Sequence, residues 1–289
     1  MKRTLLPANA SYFLPAAALI LSLNYPCCLA DPASTRHEEV IRLCNQAYKL
    51  YVPDCEKGKK AMAIVDKALQ LEPNACFPHS LKADFIFQTE DDDAGALAQI
   101  NQAVAAEPDN PDSLRLKAKI LRRLNRLPEA LQSINKANLN SSKPKASNFQ
   151  VKSDILHDMG DNKGAEEAIT QSINIEPTCF DFRMDRAKLR EQLKNYTGEI
   201  EDTSVIIKDQ FRAKSVIQVV HAYRMRALAY ARTKKNDLAK QDYLYIYNKA
   251  PDVRPVMMEA KQFFESIGDK KNLELILQRL KRMDSDYKL

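Results

Sequence analysis

Residues 111–137 read PDSLRLKAKILRRLNRLPEALQSINKA, and this stretch contains two helical patterns separated by a short polar turn. The first pattern carries the pair Lys117-Ala118. The second carries Ala130, Ile134 and Ala137, whose offsets of four and seven residues place them on one helical face. Small residues let two helices approach to about 8 Å. The stretch therefore predicts a pair of closely packed helices.

The same two-helix pattern recurs along the chain at intervals of 33 to 40 residues. A small residue marks each first helix, at Ala47, Ala83, Ala118, Ser153, Ala187, Ala227 and Ala260. The second helices align at Ala61, Ala96, Ala130, Ala165, Glu199 and Ala239. Polar turns are predicted between the two helices, at Asp91-Asp92-Asp93, Asn125-Arg126, Gly160-Asp161-Asn162, Lys194-Asn195 and Lys235-Asn236-Asp237. A regular period of this length indicates a repeat architecture.

The units resemble tetratricopeptide repeats (TPRs), through the small residue of the first helix, the alanines of the second helix and the closing prolines at Pro73, Pro108, Pro177 and Pro251. The resemblance implies an all-α fold, a right-handed α-solenoid of about six to seven TPR-like helix-turn-helix repeats. The predicted units are about 40–73, 75–108, 111–143, 146–177, 180–213, 220–251 and a capping unit at 253–289. Extra residues around Gln210–Ser215 are expected to lengthen a helix or to form a bulging loop.

The first thirty residues predict a secretory signal peptide. Lys2 and Arg3 precede an apolar, uncharged stretch at 13–23, and small residues come before a cleavage site near Ala30. Residues 31–38 are then a short linker, and residues 39–289 form the solenoid. We expect the protein to be exported (periplasmic or secreted), with no stable transmembrane segment after cleavage. An uncleaved membrane anchor is the alternative, and the residues before Cys27 do not resemble a lipoprotein signal.

Export implies an oxidising compartment, in which Cys44, Cys55, Cys76 and Cys179 allow three disulfide pairings. The sequence does not choose between a pairing and separate buried thiols. Spacing for a zinc ribbon or a thioredoxin-type redox site is absent, because no two cysteines form a CxxC pair.

Composition argues against nucleic-acid binding and against a recognisable catalytic site. The net charge is +6, which is too small an excess for a DNA or RNA reader. The four histidines form no HExxH motif, and there is no GxSxG or P-loop motif. The run Asp91-Asp92-Asp93 lacks the glycine and distal glutamate of an EF-hand. We therefore expect no enzyme activity, no cofactor and no metal.

The resemblance implies a protein or peptide partner of unknown identity, bound in a concave groove lined by the first helices. Its register places the candidate groove residues at Tyr48, Tyr51, Asp84, Phe87, Arg115, Lys119, Arg122, Arg123, Asp154, His157 and Lys188. Arginines there would bind carboxylates of the partner, and aromatic rings would anchor its apolar side chains. The alternative is that the arginines are a solvated helix end and the aromatics are core.

Three classes of function follow. The first is an exported TPR interaction scaffold that binds its partner in the groove. The second is a structural subunit of a bacterial envelope assembly, such as secretion, pilus or outer-membrane machinery. The third is an enzyme with an unrecognised site.

Overall fold

The computed structural model describes residues 32–51, 55–89, 92–212, 215–250 and 253–286, and within these ranges all regular structure is helical. The helices are α1 (Pro32–Leu50), α2 (Cys55–Leu71), α3 (Cys76–Thr89), α4 (Asp93–Ala106), α5 (Pro111–Arg123), α6 (Leu127–Asn140), α7 (Ala146–Asp158), α8 (Asn162–Ile175), α9 (Phe180–Gln192), α10 (Tyr196–Lys208), α11 (Val216–Arg232), α12 (Asn236–Lys249), α13 (Arg254–Ser266) and α14 (Lys270–Asp286). A short 3₁₀-helix lies at Gln210–Arg212. The predicted all-α solenoid is confirmed.

The helices pack as seven consecutive pairs, each formed by an odd-numbered first helix and the even-numbered second helix that follows it. The small residues of the repeat lie between the two helices of each pair. Ala47, Ala83, Ala118, Ala187, Ala227 and Ala260 are fully buried, and Ser153 is almost so. These positions therefore set how closely the two helices of each unit approach.

The turns inside five units share one backbone conformation. Each turn contains one residue with a left-handed backbone. In three turns it is Asn125, Lys194 or Lys234, with φ of 57–59°, and in two turns it is a glycine, Gly160 at 83° or Gly268 at 71°. In each turn the next residue donates its N–H to a carbonyl five positions earlier, as Arg126 does to Leu121 at 2.8 Å. This is the Schellman closure of a helix C-terminus, which satisfies carbonyls that would otherwise have no partner.

Three second helices begin with the same side-chain cap. Asp92, Asp161 and Asn195 each accept a hydrogen bond from the N–H of the glycine three residues later. A fourth cap opens α5, where the Asn110 side chain accepts from Asp112 and Ser113. These caps and the Schellman turns fix where each helix ends and the next begins.

In units one to four the first helices contact one another along the stack. Helix α1 packs on α3, α3 on α5 and α5 on α7. Within the described ranges, successive second helices make no comparable contact with one another. We call the surface formed by the odd-numbered first helices the inner face.

The structure differs from the sequence prediction at the start of the first unit and at the junction between units five and six. Helix α1 already begins at Pro32, so most of the predicted linker at 31–38 is helical. The extra residues near Gln210–Ser215 form the 3₁₀ turn and advance the start of α11 to Val216, where the Ser215 side chain caps the helix. Helix α11 therefore has 17 residues, whereas α9 has 13.

The cysteines are separate thiols where the structure describes their side chains: Cys44 and Cys76 are buried and Cys179 is half-buried. Burial raises the pKa of Cys44 to about 12, so this thiol stays protonated and unreactive at neutral pH. The predicted signal peptide and its cleavage site lie outside the described residues.

Candidate functional site

The predicted groove residues stand on five successive first helices, or directly after one in the case of Tyr51. Helix α1 carries Tyr48; α3 carries Asp84 and Phe87; α5 carries Arg115, Lys119, Arg122 and Arg123; α7 carries Asp154 and His157; α9 carries Lys188. These residues span 141 positions of the sequence, from Tyr48 to Lys188, and all but Tyr51 lie on first helices.

The aromatic residues differ in how much of their surface remains accessible. The Tyr51 ring stacks on Phe85, with ring centroids 4.3 Å apart and an interplanar angle of 6°. Phe85 is only 1% exposed, so Tyr51 belongs largely to the core between units one and two. The Phe87 ring is covered by the guanidinium group of Arg123, 3.7 Å from its centroid. Tyr48, at 37% exposure, is the most accessible of the three predicted aromatic anchors.

The arginines predicted to bind carboxylates of a partner bind carboxylates of this chain instead. Arg115 is 8% exposed and donates to Asp112 at 2.6 Å. Arg122 donates to Asp158 at 2.5 Å and to Asp154 at 3.0 Å. Asp112 lies three residues before Arg115 on the same helix. Asp154 and Asp158 lie on α7 of the next unit, opposite Arg122.

Arg123 is also paired, with Asp93 at the start of α4. Arg115, Arg122 and Arg123 are therefore all ion-paired within the chain, while the side chains of Arg122 and Arg123 stay 36% and 40% exposed. The pairs of Arg122 and Arg123 tie unit three to units four and two.

The acidic side chains of the inner face are less fully compensated. Burial raises the pKa of Asp154 to about 6, with nearby Asp185 and Asp158 adding to the rise and Arg122 opposing it. Burial also raises the pKa of Asp84, against hydrogen bonding from Gln88 and the nearby charge of Lys119. Both carboxyl groups therefore bind a proton more readily than an exposed aspartate does.

Lys119 lies between these two acids and is itself held in an unfavourable environment for its charge. Burial lowers its pKa, and Arg115 and Arg122 lower it further, whereas Asp84 and Asp154 raise it. The central inner face thus alternates acid, base and acid across units two, three and four.

The remaining two predicted residues make local contacts. The His157 ring is exposed, and its Nδ1 lies 2.8 Å from the side-chain oxygen of Asn162 at the start of α8. Lys188 is exposed and donates to Asp185 three residues earlier at 3.2 Å. Asp185 also accepts from Gln150 of unit four at 3.4 Å.

The prediction reached unit five, through Lys188, and missed the extension of this polar surface into units six and seven. Asp181 accepts from Gln218 at 3.3 Å, and burial raises the pKa of Asp181, with Asp185 adding to the rise. Two ion pairs also join successive first helices in these units, Arg232 with Glu191 at 2.7 Å and Arg224 with Glu259 at 2.6 Å. The register held part of this signal: Glu191, Arg224 and Arg232 stand at repeat positions used in the prediction, whereas Gln218 and Glu259 do not.

The inner face is therefore crossed by contacts between residues about one repeat apart. The pairs Arg122–Asp154, Arg122–Asp158, Gln150–Asp185, Gln218–Asp181, Arg224–Glu259 and Arg232–Glu191 are separated by 32 to 41 residues. Each pair joins two successive first helices.

A shallow groove of about 550 Å³ is lined by Gln210, Ser215, Val216, Val219, Val220, Tyr245 and Lys249. No group of three or more His, Cys, Asp or Glu residues among those described has the geometry to hold a metal ion. Likewise, none of the described helices combines the length and hydrophobicity that crossing a bilayer requires.

Comparison with known proteins identifies the repeat. Residues 94–144 and 146–179 each match a family model of the tetratricopeptide repeat. No curated protein is significantly similar to the chain in sequence. The chain therefore contains TPR units at its centre, and the other units share their fold.

Solved structures resemble the whole stack. PilF of Pseudomonas aeruginosa is 17% identical with a TM-score of 0.63, over 75% of this chain and 94% of PilF. PilW, described as a widely conserved type IV pilus biogenesis factor, is 14% identical with a TM-score of 0.62, over 77% of this chain and 96% of PilW. YrrB, described as a TPR protein with an unusual peptide-binding site, is 14% identical with a TM-score of 0.55, over 68% of this chain and 97% of YrrB. At these identities the likeness establishes the fold.

Proposed function

We propose that this protein is an exported interaction scaffold whose inner face binds an extended segment of a protein partner. The observation that carries the proposal is the convergence of side chains from successive first helices onto one continuous polar and aromatic surface. A surface of this kind offers many weak contacts to a peptide and no convergent catalytic group. The peptide-binding site of YrrB supports the same reading by analogy.

The charges of units four and five favour a basic segment of the partner. Asp154 and Asp158 on α7 both accept from Arg122, and Asp185 on α9, whose neighbour along the helix is the acid Asp181, accepts from Lys188. Mutual repulsion contributes to the raised pKa of Asp154 and of Asp181. A lysine or arginine side chain of the partner would relieve that repulsion. This proposal differs from the sequence-based expectation, in which arginines of this chain bind acids of the partner.

Site-specific photo-cross-linking tests the inner face directly. A photoreactive amino acid is placed at Tyr48 or at Lys188, and for comparison at Leu139, which is 84% exposed on the second helix α6. We expect partner adducts from the two inner-face positions and none from position 139. Adducts from position 139 alone would place binding on the other side of the stack.

A pair of matched variants tests the chemistry of the partner. Asp185→Asn removes an inner-face carboxylate, whereas Asp237→Asn removes an exposed one on α12. We expect the Asp185 variant to lose adduct yield and the Asp237 variant to keep it. Equal yields would leave the inner face as the site but remove the preference for a basic segment.

Export is the second part of the proposal, and the pattern of residues 1–30 supports it. The N-terminal sequence of the protein recovered from the exported fraction tests it. We expect a mature chain that begins at Asp31. A chain that retains residues 1–30 and stays in the cytoplasm would contradict export.

The alternative function is a structural subunit of an envelope assembly. The described role of PilW in type IV pilus biogenesis favours it, although that likeness rests on the fold. Recovery of the protein in a stable complex with membrane components, at fixed stoichiometry, would favour the assembly over a freely exchanging scaffold.

A further inference from the structure

Glu199 occupies a position that is alanine in every other aligned unit. The corresponding residues are Ala61, Ala96, Ala130, Ala165 and Ala239, and all are fully buried between two helices. Glu199 is also fully buried, and neither of its carboxylate oxygens has a hydrogen-bond partner. A carboxyl group with no polar partner is rare in a protein interior and requires a physical explanation.

Helix α10, which carries Glu199, packs between α9 and α11. The charged groups that face Glu199 are Glu191 from α9 and Arg232 from α11. Arg232 already donates to Glu191 at 2.7 Å, and its guanidinium group lies 5.4 Å from the ring of Tyr196 on α10. The cation that faces Glu199 is therefore bonded to a different carboxylate.

Arg190 of α9, a second cation near Glu199, also hydrogen-bonds to other groups. It donates to Glu166, to the Gly198 carbonyl and to Asp202, at 2.7–2.9 Å. Neither arginine hydrogen-bonds to Glu199, so an ionised Glu199 would be buried without a bonded cation. Burying such a charge is far less favourable than burying the neutral acid.

We propose that the junction between units five and six is a pH-sensitive contact, which packs with Glu199 as a neutral carboxylic acid and loosens when Glu199 loses its proton. An ionised Glu199 draws Arg232 away from Glu191 or draws water between α10 and α11. The inference concerns the packing of the junction and does not depend on what the inner face binds.

The direction of the pH effect follows from the environment of Glu199. Burial, with a contribution from Glu191, raises its pKa from 4.5 to about 7, and Arg232 opposes the rise. The folded state therefore holds this proton at pH values where the unfolded chain has released it. The stability of the junction is greatest in acid and falls as the pH rises from about 4.5 to 7.

Thermal unfolding of the full chain at pH 5 and pH 8 tests the proposal. Glu199→Gln removes the titration, and Glu201→Gln is the control, because Glu201 lies on the same helix with its side chain 70% exposed. We expect the Tm of Glu199→Gln to exceed that of the wild type by more at pH 8 than at pH 5. The Glu201 variant should follow the wild type at both pH values.

Hydrogen exchange locates the effect. At pH 8, amides of α10 and α11 should exchange faster in the wild type than in Glu199→Gln, and at pH 5 the two should match. If the glutamine variant folds poorly, Glu199→Ala restores the residue of the other units and serves the same comparison. A Tm difference from either variant that is the same at both pH values overturns the proposal, as does a carboxyl NMR titration of Glu199 with a midpoint below 5.

Discussion

Arg226 and Asp242 form a two-bond ion pair in the interior of unit six, in which Nε and Nη2 of the arginine donate to the two carboxylate oxygens at 2.8 Å each. Asp242 is buried. The same pair occurs in unit five between Arg186 and Asp202, at 2.9 and 2.6 Å. The spacing of sixteen residues is identical, because each arginine stands on a first helix and each aspartate on the second helix of the same unit.

Each of these arginines also reaches the preceding unit. Nη1 of Arg226 donates to the Ser204 hydroxyl on α10 at 3.1 Å, and Nη1 of Arg186 donates to the Thr170 hydroxyl on α8 at 3.2 Å. One guanidinium group thus joins three helices, which explains why a basic residue precedes the small residue in these units.

Removing one partner of the pair is expected to destabilise unit six and its contact with unit five. Asp242→Ala leaves the buried guanidinium group of Arg226 without its counterion, at a cost of about 3 kcal/mol. Urea unfolding measures the loss, and hydrogen exchange should place it in α11 and α12. The control is Glu129→Ala, which breaks the exposed pair Arg126–Glu129 and should cost much less. Equal losses in the two variants would show that burial does not strengthen the unit-six pair.

The small position of the first helix should not tolerate a large side chain. Ala118 is fully buried, and Ala118→Leu forces α5 and α6 apart at a cost of about 1–3 kcal/mol. The free energy of unfolding measures this cost. Leu139→Ala, at a largely exposed position on α6, should change stability by less than about 0.5 kcal/mol. An Ala118 variant as stable as the wild type would mean that this position does not set the helix spacing.

The protonation of Asp154 should depend on Arg122. Arg122 lowers the pKa of Asp154 against the effect of burial, and the balance stands at about 6. Arg122→Gln should therefore raise this pKa further, as carboxyl NMR titration would report. Since the folded-state pKa lies above its usual value of 3.8, stability associated with this proton falls as the pH rises from about 4 to 6, and the variant extends that fall to higher pH. Arg126→Gln, at an exposed site, should leave the midpoint unchanged, and an unchanged midpoint in both variants would contradict the interaction.

Substitution of the left-handed turn residue should change stability differently in two units, because one has glycine there and the other has lysine. Gly160→Ala places a Cβ atom at φ of 83°, which costs about 1–2 kcal/mol. Lys194→Gly relieves the same conformation at φ of 57° and should cause little loss. Thermal unfolding of both variants measures the contrast. A loss of similar size in both would indicate that side-chain contacts at these positions outweigh the backbone preference.

The period and the turns were predictable from sequence, because a recurring alanine reports a recurring close contact. The ends of α11 were predictable only in part: Ser215 before an apolar run is a capping signal, yet the repeat register alone placed the unit start at residue 220. The partners of Arg122 were harder to identify. Their sequence separation of 32 and 36 residues becomes a contact only once two first helices are placed side by side.

Glu199 shows a different limit. The aligned alanines mark its position as a buried one, so its burial follows from the sequence. The sequence does not predict that Glu199 lacks a partner, because this depends on Arg232 binding Glu191 instead. The pairing of these charges involves α9, α10 and α11 together, whereas the repeat pattern describes one position at a time.

The ion pairs between successive first helices make the contacts between units sensitive to salt. Each pair joins two neighbouring units through charges that are partly open to water, and ion pairs of this kind weaken as the salt concentration rises. High ionic strength should therefore loosen the contacts between units more than the alanine-lined contacts within each unit. The surrounding electrolyte would then act on the spacing of the units while their internal packing stays the same.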